Sequence, residues 1–254
     1  MTKTVTKIKT VTRSGKTPQV RKVKKVKKVA SRRKKVVKKK IAQDSFIKQT
    51  SVYLPQLKTN WHLDRVSFFG SADVPIESKV YQEAFACAQE LSRHGKIIVN
   101  GGGPGVMQAS TQGAESVGGK TIGVTLSNLK DLPEFEGQSP NNHLTMEIKS
   151  RNYIERMFGL MTQADVFVCF YGGTGTLSEW ATAWLLAHLY YGNHKPLVLY
   201  GEFWFEVMEV INRNFMIGEK ERNVYRIVEN KEQLLAVIEG LEKEYQVLLE
   251  TQTK

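Results

Sequence analysis

Three short apolar runs in this chain end on glycine and lead toward a helical pattern: FFGSA (Phe68 to Ala72), NGGGPGVMQA (Asn100 to Ala109) and FYGGTGTLSEW (Phe170 to Trp180). A strand that turns on glycine into a helix, repeated along a chain, fits few architectures. From Arg65 onward the same alternation continues, and it predicts strands at Arg65–Phe69, Lys96–Asn100, Lys120–Val124, Leu144–Ile148, Val166–Phe170, Pro196–Leu199 and Val224–Val228. Helical spacing falls between them at Glu77–Arg93, Gly105–Ser116, Ser150–Met161, Thr176–Leu189, Phe203–Asn214 and Lys231–Leu249. The expected class is α/β, a doubly wound, mostly parallel sheet of about seven strands with helices on both faces. Leu126 to His143, with Pro133, Gly137, Pro140 and Asn141, interrupts the alternation and reads as a long loop.

Charge divides the 254 residues unevenly. Residues 1–40 hold 18 Lys and Arg, and no acid precedes Asp44, which leaves 19 basic against 25 acidic residues beyond the tail. The net +12 therefore describes a tail and not the folded body. The run KVKKVKKV followed by SRRKKVVKKK offers little to bury, so residues 1–43 are expected to be a disordered tail, 44–61 a linker and 62–254 the folded domain. A polycation without aromatic residues suits phosphate charge on nucleic acid or another polyanion, through residues 1–40 and without base readout; a solvated tail with no partner is the alternative.

Cys87 and Cys169 each sit in an apolar stretch and read as buried thiols. No apolar run reaches the roughly 18 residues of a membrane-spanning helix, and no secretory leader is visible, so a cytoplasmic body is expected. An acid-free N-terminus leaves an organelle transit peptide open, against which stand the excess of Lys over Arg and the lack of an apolar face.

Because all three glycine turns follow strands, they should converge at the carboxyl edge of the sheet, where open α/β proteins bind ligands. In the first, Gly70 permits a sharp turn and Ser71 offers a hydroxyl. In the second, Gly101, Gly102, Gly103 and Gly105 remove side chains where a ligand would approach, and a helix start bearing Met107 follows. The next strand ends on Val124, Thr125 and Leu126 with no acid, so this Rossmann-like turn lacks the mark of an NAD site. The third is the most informative: Gly172, Gly173 and Gly175 flank Thr174 and Thr176, a set suited to cradling phosphate. It is not a Walker loop, since Leu177 and Ser178 stand where Lys and Ser or Thr would follow. Glu179, three residues past Thr176, has two readings: a carboxylate held beside the phosphate cradle, or the N3 partner of Thr176 in a capping box.

These residues resemble the LOG, or Lonely Guy, family of cytokinin riboside 5′-monophosphate phosphoribohydrolases, often labelled lysine decarboxylase-like. The family's PGGxGTxxE motif appears here as YGGTGTLSE, Tyr171 to Glu179, and Arg156 falls at the family's upstream Arg. GGGPGVMQAS and FFGSA resemble its two earlier glycine turns, so the likeness spans about residues 62–200. Two positions depart from the pattern: Tyr171 replaces Pro, and Met157 replaces the Lys that usually follows the Arg.

The resemblance implies hydrolysis of the N-glycosidic bond of a nucleoside 5′-monophosphate to free base and ribose 5-phosphate, with Arg156 and Glu179 catalytic and no metal or other cofactor required. A carboxylate suits this chemistry because the ribose ring becomes cationic as the bond breaks. Arg156 would fix the ribose hydroxyls or the leaving base; an ion pair with Glu155 or Asp165 is its alternative role. The resemblance also implies a homodimer joined through Ser150–Met161 and Thr176–Leu189, with Tyr153, Trp180, Trp184 and Leu185 as apolar contact candidates. A nucleotide or molybdenum-cofactor carrier that uses the same cradle without hydrolysis stands as the other reading.

Overall fold

Alternation of side chains along the strands sets the layers. In RVSFF, Arg65–Phe69 (β1), Val66 and Phe68 enter one apolar cluster and Phe69 enters another on the opposite face of the sheet. A computed structural model describes residues 62–127, 139, 141–192 and 194–252, with side chains to 247. The expected tail, the linker and most of the long loop lie outside the described residues.

After β1 come α1 (Lys79–Arg93), β2 (Ile97–Asn100), α2 (Val106–Glu115), β3 (Thr121–Leu126), β4 (Met146–Ser150), α3 (Tyr153–Gln163) and β5 (Val166–Cys169). They continue with α4 (Thr174–Leu189), β6 (Leu197–Tyr200), α5 (Phe203–Asn214), α6 (Glu219–Asn223), β7 (Tyr225–Val228) and α7 (Lys231–Gln252). Among the described residues seven strands form one sheet in the order β4-β3-β2-β1-β5-β6-β7, and each of its pairings is parallel. The doubly wound expectation holds. Strand β4 starts two residues later than the spacing suggested, α3 starts three later, and α6 is a short helix that the periodicity did not reveal. Among the described residues no helix is long and apolar enough to cross a membrane.

Helices α1, α2 and α7 cover one face and α3, α4 and α5 the other. On the first face, α1 turns Tyr81, Ala84, Cys87, Ala88 and Leu91 inward at helical spacing, and its N-cap Ser78 accepts from the Tyr81 amide at 3.2 Å. Helices α1 and α2 approach closely because Gly113 has no Cβ; one placed there would lie 2.2 Å from the Phe85 carbonyl oxygen. On the second face, Phe69 stacks on Phe167 at 5.7 Å, and Trp180, Trp184 and Trp204 form a run of ring contacts between α4 and α5. Each large side chain buried this way contributes about 1.5–3 kcal/mol of transfer free energy. Cys87 and Cys169 are both buried, as expected.

The chain lays β2, β3 and β4 outward from one side of β1, then returns to place β5, β6 and β7 on the other. The loops after β1 and β5 therefore diverge, and a crevice opens between them at the carboxyl edge.

Candidate active site

A cleft of about 500 Å³ occupies that crevice, a size suited to a small organic ligand. Its first wall is the turn after β1, Phe68 to Asp73; its second is the start of α4, Gly173 to Thr176 with Ser178 and Glu179. Gly101 and Met107 come from the second glycine turn, and Tyr153, Arg156 and Leu160 come from α3.

Backbone hydrogen bonds knit the three turns together at Ser71. Its N–H donates to the Tyr171 carbonyl at 3.0 Å, and its own carbonyl accepts from the Val106 N–H at 2.9 Å. Gly105 makes that second approach feasible. Its φ is +62°, and a Cβ there would lie 2.2 Å from the Ser71 oxygen. The Ser71 hydroxyl accepts from the Asp73 N–H at 3.1 Å, which shapes the rim and holds Asp73 on it.

Helix α4 begins at Thr174 with Gly173 as its N-cap and no side-chain cap. Glu179 is then the sixth residue of the helix, beyond reach of the N-cap amide, so the capping-box reading of Thr176 and Glu179 is overturned. Both side chains are buried nonetheless. The first amides of a helix have no intrahelical acceptor, and together with the helix dipole they give the Gly173–Thr176 end the polarity that suits an anion. Glu179 is only 7% exposed, and its charge, after burial itself, helps push the Cys169 thiol upward.

Arg156 lines the same cleft from α3 and is equally buried, at 7% exposure. Its Nε donates to the Val124 carbonyl and its Nη2 to the Gly101 carbonyl, both at 3.0 Å, while Nη2 also meets the Met107 sulfur at 3.3 Å. The surface ion pair proposed for Arg156 is not what forms. Glu155 is held by Arg151, and a carboxylate oxygen of Asp165 accepts from the Arg65 amide. Burying a guanidinium is costly unless its donors are satisfied, so these carbonyl bonds place the charge at the cleft wall. Gly101 leaves the space for it: a Cβ there would lie 1.7 Å from Arg156 Nη2.

Of the residues singled out from the sequence, Arg156, Glu179, Gly70, Ser71, Gly101, Met107, Gly173, Thr174, Gly175 and Thr176 line the cleft. Gly102, Gly103, Gly105 and Gly172 do not. Gly102 accepts from the Ser139 amide, and the Gly103 carbonyl accepts from Asn142 Nδ2, so the end of the long loop folds over this pair. Gly172 gives way to Thr176, whose Oγ1 would lie 2.2 Å from a Cβ at that position. These four glycines shape turns and close contacts.

Asp73, Tyr153 and Ser178 line the cleft without having been read as site residues. The Tyr153 hydroxyl lies 3.0 Å from Ser178 Oγ and 3.3 Å from the Gly175 carbonyl, bridging α3 to α4. Met157 continues the seam one turn on, where its sulfur accepts from the Thr182 hydroxyl at 3.5 Å. The position of Asp73 immediately after the first glycine turn was the available signal for it. Tyr153 and Ser178 neighbour Arg156 and Glu179 on their helices, but helix phase alone did not say which side faced inward.

Among the described residues one group has the spacing of metal ligands: His62, Asp64 and Glu242. It lies at the amino edge of the sheet, and Glu242 there already accepts from Lys96 Nζ at 2.6 Å and the Leu63 amide at 2.9 Å.

An open, all-parallel sheet with a cleft at its switch point, lined by glycine turns and by the buried Arg156 and Glu179, defines an α/β protein of the Rossmann type. The chain belongs to the SLOG cluster4 family, whose model matches residues 64–233, in agreement with the LOG-like motifs. It is similar to an uncharacterized protein of Archaeoglobus fulgidus, with 29% identity over 133 residues that cover 52% of this chain and 83% of that one. Among solved structures it is similar to the molybdenum cofactor binding protein of the phototrophic bacterium Rippkaea orientalis, with a TM-score of 0.50, 23% identity, and coverage of 70% of this chain and 94% of the other. The molybdenum cofactor carrier protein of Chlamydomonas reinhardtii superposes with a TM-score of 0.52 and 22% identity, over 71% of this chain and 98% of its own. At these identities the two structures share the fold.

Proposed function

We propose that this protein is a nucleoside 5′-monophosphate phosphoribohydrolase that releases free base and ribose 5-phosphate. The observation that carries the reading is the burial of Arg156 and Glu179 on two facing helices in one cleft with the α4 amino end. The 5′-phosphate sits on the Gly173–Thr176 amides, using binding energy away from the scissile bond to orient it. The Glu179 carboxylate faces the ribose, where it stabilises the developing oxocarbenium charge or takes a proton from the attacking water. The Arg156 guanidinium, fixed by two carbonyls, orients the ribose hydroxyls or the base.

The test is release of base and ribose 5-phosphate from a panel of nucleoside 5′-monophosphates. Glu179→Gln and Arg156→Ala are each expected to lower kcat/KM at least 100-fold, about 2.7 kcal/mol of transition-state stabilisation.

A second reading, a carrier that holds a phosphorylated ligand without turnover, draws on the near-complete overlap of the molybdenum cofactor carrier with this chain. Tight retention of a nucleotide or pterin phosphate with no bond cleavage would favour it.

The protein is also proposed to act as a homodimer. Leu177, Ala181, Leu185 and Leu189 follow one another at four-residue spacing on the exposed side of α4, and Ile154 and Phe158 do the same on α3. An apolar stripe of this kind on two adjacent helices suits a self-complementary interface. Trp180, named among the contact candidates, is instead core, and the Trp184 indole donates to the Glu221 carbonyl at 2.8 Å.

A further inference from the structure

We infer that the cleft is matched to a mononucleotide whose base is already cationic, an N-quaternised heterocycle such as a pyridinium. The inference rests on the phosphoribohydrolase reading and narrows its substrate class.

The first argument concerns the leaving group. When the C1′–N bond of an ordinary purine or pyrimidine nucleotide breaks, the bonding electrons leave an anionic base, which needs a proton donor. Among the described residues, the side chains that line the cleft include no histidine and no lysine. A guanidinium is a poor proton donor in general, and the Nε and one Nη of Arg156 are already committed to the Val124 and Gly101 carbonyls. The Tyr153 hydroxyl is engaged across the helix seam with Ser178 Oγ and the Gly175 carbonyl. Where the LOG pattern has Lys, Met157 stands, and its sulfur packs against Thr182. A quaternised heterocycle removes the need for an acid.

The step balances without one. Water oxygen bonds to C1′ as the C1′–N electrons return to the ring nitrogen, which cancels the ring's positive charge. Glu179 accepts the water proton and passes it to solvent, so the products are ribose 5-phosphate, a neutral heterocycle and one proton.

The second argument is electrostatic. Besides Arg156, the charged side chains lining the cleft among the described residues are two carboxylates, Asp73 and Glu179, while the amino end of α4 offers backbone amides. Asp73 is exposed on the rim, held there through the Ser71 hydroxyl. Carboxylates on the walls attract a cationic ring by charge. Phosphate at the α4 end and a cationic ring toward the carboxylates give a ligand whose charges complement the walls.

The probe is nicotinamide mononucleotide in its oxidised form, with a pyridinium ring, and its 1,4-dihydro form, with an uncharged ring. Calorimetry on the full-length Glu179→Gln protein, which holds the ligand without turning it over, is expected to give at least tenfold tighter binding of the oxidised form, and adding Asp73→Asn is expected to cut that ratio at least fivefold. Binding is blind to how readily each glycosidic bond breaks, so the ratio reports recognition. Hydrolysis of the oxidised form is expected to exceed that of AMP and CMP by at least 100-fold. Equal binding of the two forms, or a neutral-base nucleotide hydrolysed as fast, would overturn the inference and leave the phosphoribohydrolase reading in place. No base release from any mononucleotide would remove both.

Discussion

Gly101 is the residue on which the placement of Arg156 turns. The space a methyl group would fill is occupied by Arg156 Nη2, so Gly101→Ala forces the guanidinium away from the Gly101 carbonyl and out of register with Glu179. The fold around it is buried strand end and tolerates small shifts. The expected result is a loss of at least tenfold in mononucleotide affinity or turnover, with a stability change of about 1–2 kcal/mol, within the range of ordinary point substitutions. Isothermal titration beside a urea unfolding curve reads both quantities. An unchanged affinity would mean that Arg156 finds another productive position. A glycine in GGGPG signals permissiveness in the sequence, but only the structure distinguishes Gly101, which admits a side chain of the site, from Gly102, which has a positive φ and gives way to Thr125 on β3.

At the scale of elements, the boundary of α4 decided how the site was read. The T-x-x-E spacing of Thr176 and Glu179 is the same whether the helix starts at 174 or 176, so the sequence alone left both roles open. Strand positions were legible because β-branched runs between glycines and polar turns leave little freedom. Short α6 was not, since five mostly charged residues, EKERN, carry no apolar period. The attachment of α7 offers a second test. His194, in the turn before β6, has its Nδ1 facing the Gly192 N–H at 3.2 Å, so that nitrogen accepts; the neutral ring then donates from Nε2 to Tyr245 Oη on α7 at 3.0 Å. The Tyr245 hydroxyl donates in turn to the His194 carbonyl at 3.0 Å. Burial, reinforced by the Arg226 charge, lowers the His194 pKa to about 4. Because the folded ring stays neutral while the unfolded one protonates near 6.5, the stabilisation is fully present above pH 6.5 and is lost as pH falls toward 4. The total is on the order of 3 kcal/mol at about 1.4 kcal/mol per pH unit. Urea midpoints between pH 7 and pH 4.5 should fall more steeply for the wild type than for His194→Gln, which cannot charge. Parallel slopes in the two proteins would show that His194 does not carry this dependence.

For the whole molecule, the exposed stripe of Leu177, Ala181, Leu185 and Leu189 borders the α4 segment that carries Glu179, so the proposed dimer and the proposed chemistry share one helix. Light scattering after size exclusion is expected to give twice the chain mass of 28.8 kDa for the wild type and the chain mass itself for Leu185→Glu combined with Leu189→Glu. A wild-type monomer at micromolar concentration would end the dimer proposal. The pairing of β1 with β5 has a different consequence. Val66 meets Val166, and the Arg65 amide reaches Asp165 across a hundred residues of chain, so the two halves that flank the crevice come together only after a long loop has closed. Contacts of such separation slow folding. The crevice is then a late product of the folding reaction, and a ligand that bridges its walls acts as a kinetic staple: it leaves the refolding rate nearly untouched and slows the parting of the two halves.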